Sequence, residues 1–251
     1  MNRNQFWLTD EQFSWISPHF PMDTRGKPRV DDRRVINGIV QVRKSSGRWV
    51  DAPLEDGPKK TLYNRYVRWA VKGVWVRLFE ALAQADGPLA AVFIDSSAVK
   101  THPSAVGKRG KKNQAIGRSR GGRTTKIHAL TDALCRRIAF MITGGLVADC
   151  TAGSALIERL PNCDVVHGDK GYDANNLRRK IQKRVALANT PPKANRKWKT
   201  CFSPFLYRSR NAIERMFCRL KDFRRIVTRY DRNAANFLAA VCIVAAVRFW
   251  L

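Results

Sequence analysis

Apolar residues in the first 85 positions recur at the three- and four-residue spacing of amphipathic helices. A capping box of Thr9 and Gln12 opens the first helix. Three more helices are predicted over residues 31–42, 61–71 and 74–85. This pattern predicts a small all-α domain over residues 1–88.

The third of these helices has an apolar and a polar face. Leu62, Tyr66 and Trp69 are expected to pack inward. We expect the opposite, basic face to lie against DNA, through Lys60, Tyr63, Asn64 and Arg68. Short helices with a net positive charge favour a helix-turn-helix-like domain. A plain helical bundle whose charges are solvated explains the pattern equally well.

Beyond Gly87 and Pro88 the apolar residues form short continuous runs, which are typical of buried strands. Strands are predicted over residues 89–94, 125–130, 136–143, 163–167 and 186–188, the second and third forming a hairpin. Helices are predicted over residues 149–160, 173–185, 203–227 and 234–249, and the basic residues 103–123 are interpreted as a loop. This order predicts an α/β domain over residues 89–251, with a mixed sheet covered by helices on both faces.

Charge narrows the choice of partner. The chain has 251 residues, with 47 Lys and Arg against 20 Asp and Glu and a net charge of +27. Its hydrophobic fraction of 44% is enough for a core, which excludes a disordered basic tail. A folded protein of this charge is expected to bind a polyanion, and nucleic acid is favoured over anionic membrane.

Composition also indicates a compartment. The six cysteines show no CxxC spacing, which argues against a zinc ribbon. The longest apolar run, residues 237–247, is shorter than the roughly 20 residues that a membrane span needs. We therefore expect a cytoplasmic, nucleoid-associated protein with no membrane partner.

The few acidic residues near the basic stretches are candidates for chemistry. The strands over 89–94 and 163–167 are each followed by an aspartate, Asp95 and Asp169. Strand ends at one sheet edge bring such side chains together. Glu214 shares a helical stripe with Tyr207, Arg210 and Lys221, at spacings of three, four and seven residues.

Three carboxylates that hold two Mg²⁺ ions support in-line attack on a phosphodiester. The simpler interpretation of Glu214 is a surface salt-bridge partner on a basic helix. Asp149 and Asp173 each open a predicted helix, and N-capping is the simpler explanation for both. Asp132 fits a hairpin turn. His167 is the one histidine placed where a histidine-based nuclease would need it.

The spacing Tyr207-x2-Arg210-x3-Glu214-x6-Lys221 resembles the signature of bacterial insertion-sequence transposases of the DDE class. Asp169 and Tyr172 resemble the element around the second aspartate of that class. Residues 93–97 resemble the first-aspartate strand of the same class. Residues 114–129 are similar to the insertion-sequence five group, and residues 8–12 and 60–66 resemble the N-terminal domain of that group. The resemblance covers nearly the whole chain.

The resemblance implies an RNase H-like catalytic domain with Asp95, Asp169 and Glu214 as catalytic residues and metal ligands. It implies two Mg²⁺ ions, for which Mn²⁺ substitutes. It also implies cleavage and strand transfer at terminal inverted repeats, by a homodimer that pairs two DNA ends. Supporting residues near the double-stranded DNA would be Tyr172, Tyr207, Arg210 and Lys221.

The basic run over residues 107–126 is expected to order on DNA, with Arg118, Arg120 and Lys126 as phosphate contacts. Two other functions fit the same residues. One is a Mg²⁺-dependent nuclease of the same fold that does not transfer strands. The other is a catalytically inactive DNA-binding remnant that only occupies repeat ends. All three predict DNA binding that weakens with salt.

Overall fold

A computed structural model of the chain describes residues 5–21, 31–84, 87–106, 114–119, 121–134 and 136–251. The helices within these residues are α1 Asp10–Ile16, α2 Asp32–Lys44, α3 Lys59–Val71, α4 Val74–Leu82, α5 Asp149–Leu156, α6 Asn175–Lys183, α7 Pro204–Tyr207, α8 Asn211–Lys221, α9 Arg224–Val227 and α10 Ala234–Phe249. The strands are β1 Leu89–Thr101, β2 Gly117–Ser119, β3 Gly122–Asp132, β4 Arg137–Gly144, β5 Cys163–Gly168, β6 Leu187–Asn189 and β7 Thr228–Arg229.

The sheet is mixed and centres on β1. Strand β1 pairs antiparallel with β3 and parallel with β5, and β3 and β5 carry the hairpin strand β4 and the parallel strand β6 on their outer sides. Short β2 adds to β3, and short β7 pairs with the end of β1. Helices cover the sheet, which confirms the predicted RNase H-like α/β architecture with a helical part before it.

The first strand is longer than the apolar run predicts. It continues beyond Asp95 to Thr101, because β3 pairs with it as far as Lys100. The parallel pairing with β5, however, ends at Ile94 and Gly168. Asp95 and Asp169 each follow that last pair directly. The end of β5, rather than the end of both strands, therefore brings the two aspartates together.

Two other expectations about local structure are wrong. The single helix predicted over 203–227 is divided into α7, α8 and α9. A 3-10 turn at Arg208–Arg210 separates α7 from α8, and a break at Phe223 separates α8 from α9. The basic loop predicted over 103–123 contains β2, which folds back on the start of β3. The capping box of Thr9 and Gln12 is present as expected.

Helix α10 joins the helical part to the sheet. Phe237, Val241 and Val244 pack in the core beside β1, β3 and α8. Ala239, Ile243 and Ala246 pack instead among the side chains of α2, α3 and α4. A helix that is apolar on all sides is expected to be buried all round. In the part of the chain that the structure describes, no helix is long and apolar enough to cross a membrane.

A buried ion pair makes a second connection. Arg43, on α2, is 2% exposed, and its Nη2 lies 3.3 Å from Oδ1 of Asp231, just before α10. The guanidinium also lies over the Tyr66 ring, 4.2 Å from its centroid. Burial lowers the pKa of Arg43, but the Asp231 carboxylate outweighs burial and leaves the pKa above its usual value. Arg43 is therefore charged and depends on Asp231.

Replacing Asp231 by alanine would leave the buried Arg43 guanidinium without its carboxylate. Because an uncompensated buried charge is costly, we expect the free energy of unfolding to fall by about 3 kcal/mol. Urea denaturation followed by tryptophan fluorescence measures this change. Asp222→Ala, at an exposed carboxylate after α8, is the control and should change stability by less than about 0.5 kcal/mol. Equal losses in the two variants would contradict the prediction.

Candidate active site

The two strand aspartates are oriented by backbone amides. Oδ1 of Asp95 accepts a hydrogen bond of 2.7 Å from the Ser96 N–H, and Oδ1 of Asp169 accepts one of 2.8 Å from the Gly171 N–H. The Asp95 side chain is only 15% exposed. Burial raises its pKa to about 6, and the nearby charge of Asp169 adds to this rise. The two carboxylates are thus close enough to affect each other.

Glu214 is held at the edge of a packed helix. Ile213, Met216 and Leu220 of α8 are buried against the sheet, as their spacing predicts. Glu214 lies on a different side of the helix, and 54% of its side chain is exposed. Its position in the first turn of α8 places its negative charge where the helix dipole is favourable.

Arg210 lies between the carboxylates. Its Nη1 is 2.8 Å from Oδ2 of Asp95, and its Nη2 donates to Oε1 of Glu214. The charge of Asp169 also acts on this guanidinium. Burial alone would lower the pKa of Arg210, but the surrounding carboxylates raise it above its usual value. The structure therefore pairs Asp95 and Glu214 with one arginine, and Asp169 is near enough for its charge to act on the same guanidinium.

Tyr207 belongs to the same group. The Arg210 guanidinium lies 5.5 Å from the centre of its ring, and the ring meets Phe202 edge-on at 5.2 Å. Burial raises the pKa of Tyr207, and the charges of Asp169, Asp95 and Glu214 contribute to that rise. The hydroxyl therefore stays protonated near neutral pH and lies within the field of all three carboxylates.

The donors around Arg210 have the chemistry of a hard-cation site. Carboxylate oxygens are the ligands that Mg²⁺ prefers. Among the described residues, however, no three His, Cys, Asp or Glu side chains are grouped closely enough to hold a metal ion. Arg210 lies between Asp95 and Glu214 at the point where a shared cation would lie. In chemistry the carboxylate donors fit a divalent metal, and in this structure Arg210 supplies the positive charge between two of them.

Two predicted DNA contacts face inward. Tyr172 is 1% exposed, and its ring fills the space beside Gly153, where an added Cβ would come within 2.9 Å of it. Lys126 donates from Nζ to Asp149 and to the Val147 carbonyl, both at 3.0 Å. In this conformation Tyr172 is occupied in packing and Lys126 in pairing, so their assignment to DNA stays a prediction.

Apart from Tyr207 and Arg210, which are partly buried, the other predicted DNA contacts that the structure describes are at the surface. Exposed positions are Lys60, Tyr63, Asn64 and Arg68 on α3, Arg118 on β2 and Lys221 at the end of α8. Leu62, Tyr66 and Trp69 are buried on the other side of α3, as expected. Lys221 follows Glu214 by seven residues, which separates them by about 10 Å along the helix axis. Arg120 lies outside the described residues.

The two aspartates interpreted as helix caps have other roles. The N-caps of α5 and α6 are Ala148 and Ala174. Asp173 is buried and pairs with Arg178 at 2.9 Å and with Arg196. Burial would raise the Asp173 pKa, but its hydrogen bonds to Arg196, the Lys193 N–H and Arg178 lower it overall. Asp173 is thus part of an internal ion-pair cluster.

Asp149 is the polar residue that the sequence interpretation missed. Its Oδ1 accepts a hydrogen bond of 2.7 Å from Oγ of Ser96, the neighbour of Asp95, and it pairs with Lys126. The buried His128 lies 3.9 Å away. The helical start at 149 hides this role, since the contacts come from β1 and β3, which are far away in sequence.

The histidine alternative is not supported by the geometry. His167 is 2% exposed, its ring stacks on Phe93 at 5.0 Å, and Nδ1 lies 3.1 Å from the Asn189 amide. Burial lowers the pKa values of both His128 and His167 to about 4. Both are neutral near pH 7 and packed in the interior, so the carboxylates carry the candidate chemistry.

Comparisons with known proteins agree with this class of site. Residues 86–249 match the family described as Transposase DDE domain, and residues 8–79 match the one described as Putative transposase of IS4/5 family. The fold and the carboxylate site define an enzyme of the DDE type. The chain belongs to the DDE-domain transposases and is a DNA transposase.

Individual relatives point the same way. The chain is 33% identical over 129 residues to "Putative transposase for insertion sequence element IS6501" of Brucella ovis, covering 51% of this chain and 98% of that protein. It is 33% identical over 118 residues to the uncharacterised protein y4sN of Sinorhizobium fredii, covering 46% of this chain and 87% of that protein.

A solved structure shares the fold. It is the piggyBac transposase in a synaptic complex with hairpin DNA, at a TM-score of 0.52 and 12% sequence identity. The match covers 97% of this chain and 72% of the piggyBac chain. Membership of the DDE family also implies the use of a divalent metal.

Arg210→Gln removes the positive charge nearest to Asp95. An opposite charge this close lowers a carboxyl pKa by about one to three. Because burial already raises the Asp95 pKa to about 6, we expect it to rise further, by at least about one. Carboxyl ¹³C shifts in aspartate-labelled protein measure the titration. Arg208→Gln, at an exposed arginine, is the control. An unchanged Asp95 titration in Arg210→Gln would contradict the ion pair.

Proposed function

We propose that this transposase binds the terminal inverted repeats of an insertion sequence and catalyses Mg²⁺-dependent cleavage and strand transfer of DNA there. The observation that carries the proposal is the pairing of Asp95 and Glu214 with Arg210, beside Asp169, whose charge acts on both Asp95 and Arg210. The charge of +27 supports a polyanionic substrate. The piggyBac complex contains hairpin DNA, and its shared fold supports DNA as the partner.

Asp95, Asp169 and Glu214 would hold two Mg²⁺ ions. When bound, the ions would activate a water or a 3′-hydroxyl and stabilise the leaving oxygen. Burial raises the pKa of Asp95 only to about 6, so its carboxylate is mostly ionised at pH 7 and above. The ionised carboxylate is the form that binds a cation. Arg210 would leave the carboxylates as the metal enters. Its fork of N–H donors would then bind a phosphate of the DNA end.

We assign the two parts of the chain different tasks. Residues 1–88 would recognise the repeats and residues 89–251 would carry the chemistry. The exposed face of α3, with Lys60, Tyr63, Asn64 and Arg68, has the donors for such recognition. Arg118 and Lys221 would contact phosphates nearer the cleaved bond. Because α10 packs into both parts, the recognition helix and the active site would keep a fixed relation.

A homodimer would pair the two ends of the element. Each end presents one repeat, so a two-fold arrangement of protomers matches two inverted sites. The piggyBac transposase was solved as a synaptic complex, which supports a paired assembly for that protein. The same arrangement would let one protomer bind the repeat that its partner cleaves.

Asp95→Asn, Asp169→Asn and Glu214→Gln each remove one metal-binding charge. We expect each variant to lose at least about 100-fold in the rate of cleavage at repeat ends, because a bound metal supplies several kcal/mol of transition-state stabilisation. DNA affinity should stay within a few-fold. A gel assay with duplexes from the two ends of the element, in Mg²⁺ or Mn²⁺, measures both. Asp164→Asn, at an exposed position on β5, is the control.

The same assay separates the three functions. Joining of a cut 3′-end to a target plasmid supports transposition, whereas cutting without joining supports a nuclease of the same fold. Specific binding by the unaltered chain without any cutting in either metal supports an inactive remnant. Normal cleavage by Asp169→Asn would overturn the assignment of the triad.

Asn64→Ala tests α3 as the recognition helix. An asparagine that pairs with a base edge contributes about 1–3 kcal/mol of discrimination. We expect the preference for the end duplex over a scrambled duplex to fall at least about fivefold. Lys183→Gln, at an exposed cation of α6, is the control and should weaken binding to both duplexes equally. An unchanged preference in Asn64→Ala would contradict the assignment of α3.

A further inference from the structure

A fourth carboxylate, Asp149, lies beside the proposed metal site. Oγ of Ser96 donates a hydrogen bond of 2.7 Å to Oδ1 of Asp149, and the N–H of the same Ser96 donates a hydrogen bond of 2.7 Å to Oδ1 of Asp95. One serine therefore connects the two acids. The Ser96 amide restrains the Asp95 carboxylate, and the hydroxyl of the same residue is held by Asp149.

Asp149 also adjoins the second aspartate. A Cβ built on Gly171 would lie 2.9 Å from Oδ1 of Asp169 and 3.4 Å from Oδ2 of Asp149. The Gly171 N–H donates to Asp169, so this residue has the aspartates on two sides. The Tyr172 side chain is buried beside these residues, near enough for the charges of Asp149 and Asp95 to act on its hydroxyl.

The pairing of Asp149 distinguishes it from the metal-binding acids. Lys126 Nζ lies 3.0 Å from Oδ1 of Asp149 and also donates to the Val147 carbonyl. The Asp149 side chain is 25% exposed and that of Lys126 21%. An internal ammonium neutralises this carboxylate, whereas Asp95 and Glu214 share a guanidinium that also belongs to the active site. Asp149 thus already has a cationic partner from the chain itself.

We infer that Asp149 is a positioning residue for the metal site, acting through Ser96 on Asp95 and neutralised by Lys126. The inference rests on the proposed function, because it gives Asp149 a purpose only if Asp95 and Asp169 bind metal. Partners of metal ligands fix the orientation of those ligands, and changes in them cost about 10- to 100-fold in metal affinity. Asp149 is such a partner: it contacts Ser96, which in turn contacts the proposed metal ligand Asp95.

Mn²⁺ binding to the full chain, followed by the electron paramagnetic resonance signal of free Mn²⁺, tests the inference without relying on activity. The binding that Asp95→Asn abolishes defines the site. We expect Asp149→Asn and Ser96→Ala each to raise the Kd of that site about tenfold. Asp164→Asn, at an exposed position, should leave it unchanged. Thermal unfolding by circular dichroism confirms that each variant is folded.

The double variant separates positioning from general destabilisation. If Ser96 and Asp149 act through their mutual hydrogen bond, Ser96→Ala with Asp149→Asn should raise the Kd no more than about twofold beyond either single change. Independent, multiplying effects would overturn the inference. So would an unchanged Kd in a folded Asp149→Asn.

The outcome also distinguishes the two levels of the proposal. Unaltered chain that binds Mn²⁺ at the Asp95 site, with Asp149→Asn binding equally well, would overturn the positioning role and leave the proposed metal site intact. Unaltered chain whose Mn²⁺ binding is the same in Asp95→Asn would overturn the metal site, and with it the role of Asp149.

Discussion

The parallel pairing of β1 with β5 is the constraint on which the active site depends. Backbone hydrogen bonds align Ile94 with Gly168, and Asp95 and Asp169 follow in the two chains. The two side chains are therefore near each other, and the charge of Asp169 acts on Asp95. Two like charges at this distance repel each other, and burial at the sheet adds to the cost. The rest of the site supplies the positive charge and the N–H donors that make the pair tolerable.

Arg210 is the main source of that positive charge. Its guanidinium reaches Asp95 and Glu214 at once, and a short 3-10 turn before α8 places it there. The backbone keeps right-handed helical angles through this turn. Ile213, Met216 and Leu220 of α8 pack in the core with side chains of the sheet, while Arg210, one turn before Glu214, reaches Asp95.

Much of the fold follows from local patterns, because helices and strands are defined by the spacing of neighbouring apolar residues. The helices α2, α3 and α10 and the β3–β4 hairpin lie close to where the sequence predicts them. The length of β1 could not be predicted from its own residues, since β3 and not hydrophobicity extends it past Asp95. The short strand β2 likewise depends on a partner strand.

Part of the candidate site could also be predicted from sequence. Asp95, Asp169 and Glu214 could be selected because strand ends and helical spacing carry the information. The roles of Asp149 and Asp173 could not, because both stand where a helix cap is the simplest explanation and their actual partners come from elsewhere in the chain.

The inward-facing cations show why sequence charge is an imperfect guide to a DNA surface. Lys126 stands in a stretch that has no acidic residues between 96 and 131, yet its ammonium contacts Asp149 rather than solvent. Arg43 also counts toward the positive charge of the sequence, yet its side chain is buried and pairs with Asp231. Asp149 and Asp231 thus each pair with a cation from a distant segment, because an unpaired charge away from solvent is costly. Other cations, such as Arg68 and Arg118, stay exposed at the surface. The fold therefore separates cations that stabilise the protein by pairing with carboxylates from exposed cations that can bind phosphate.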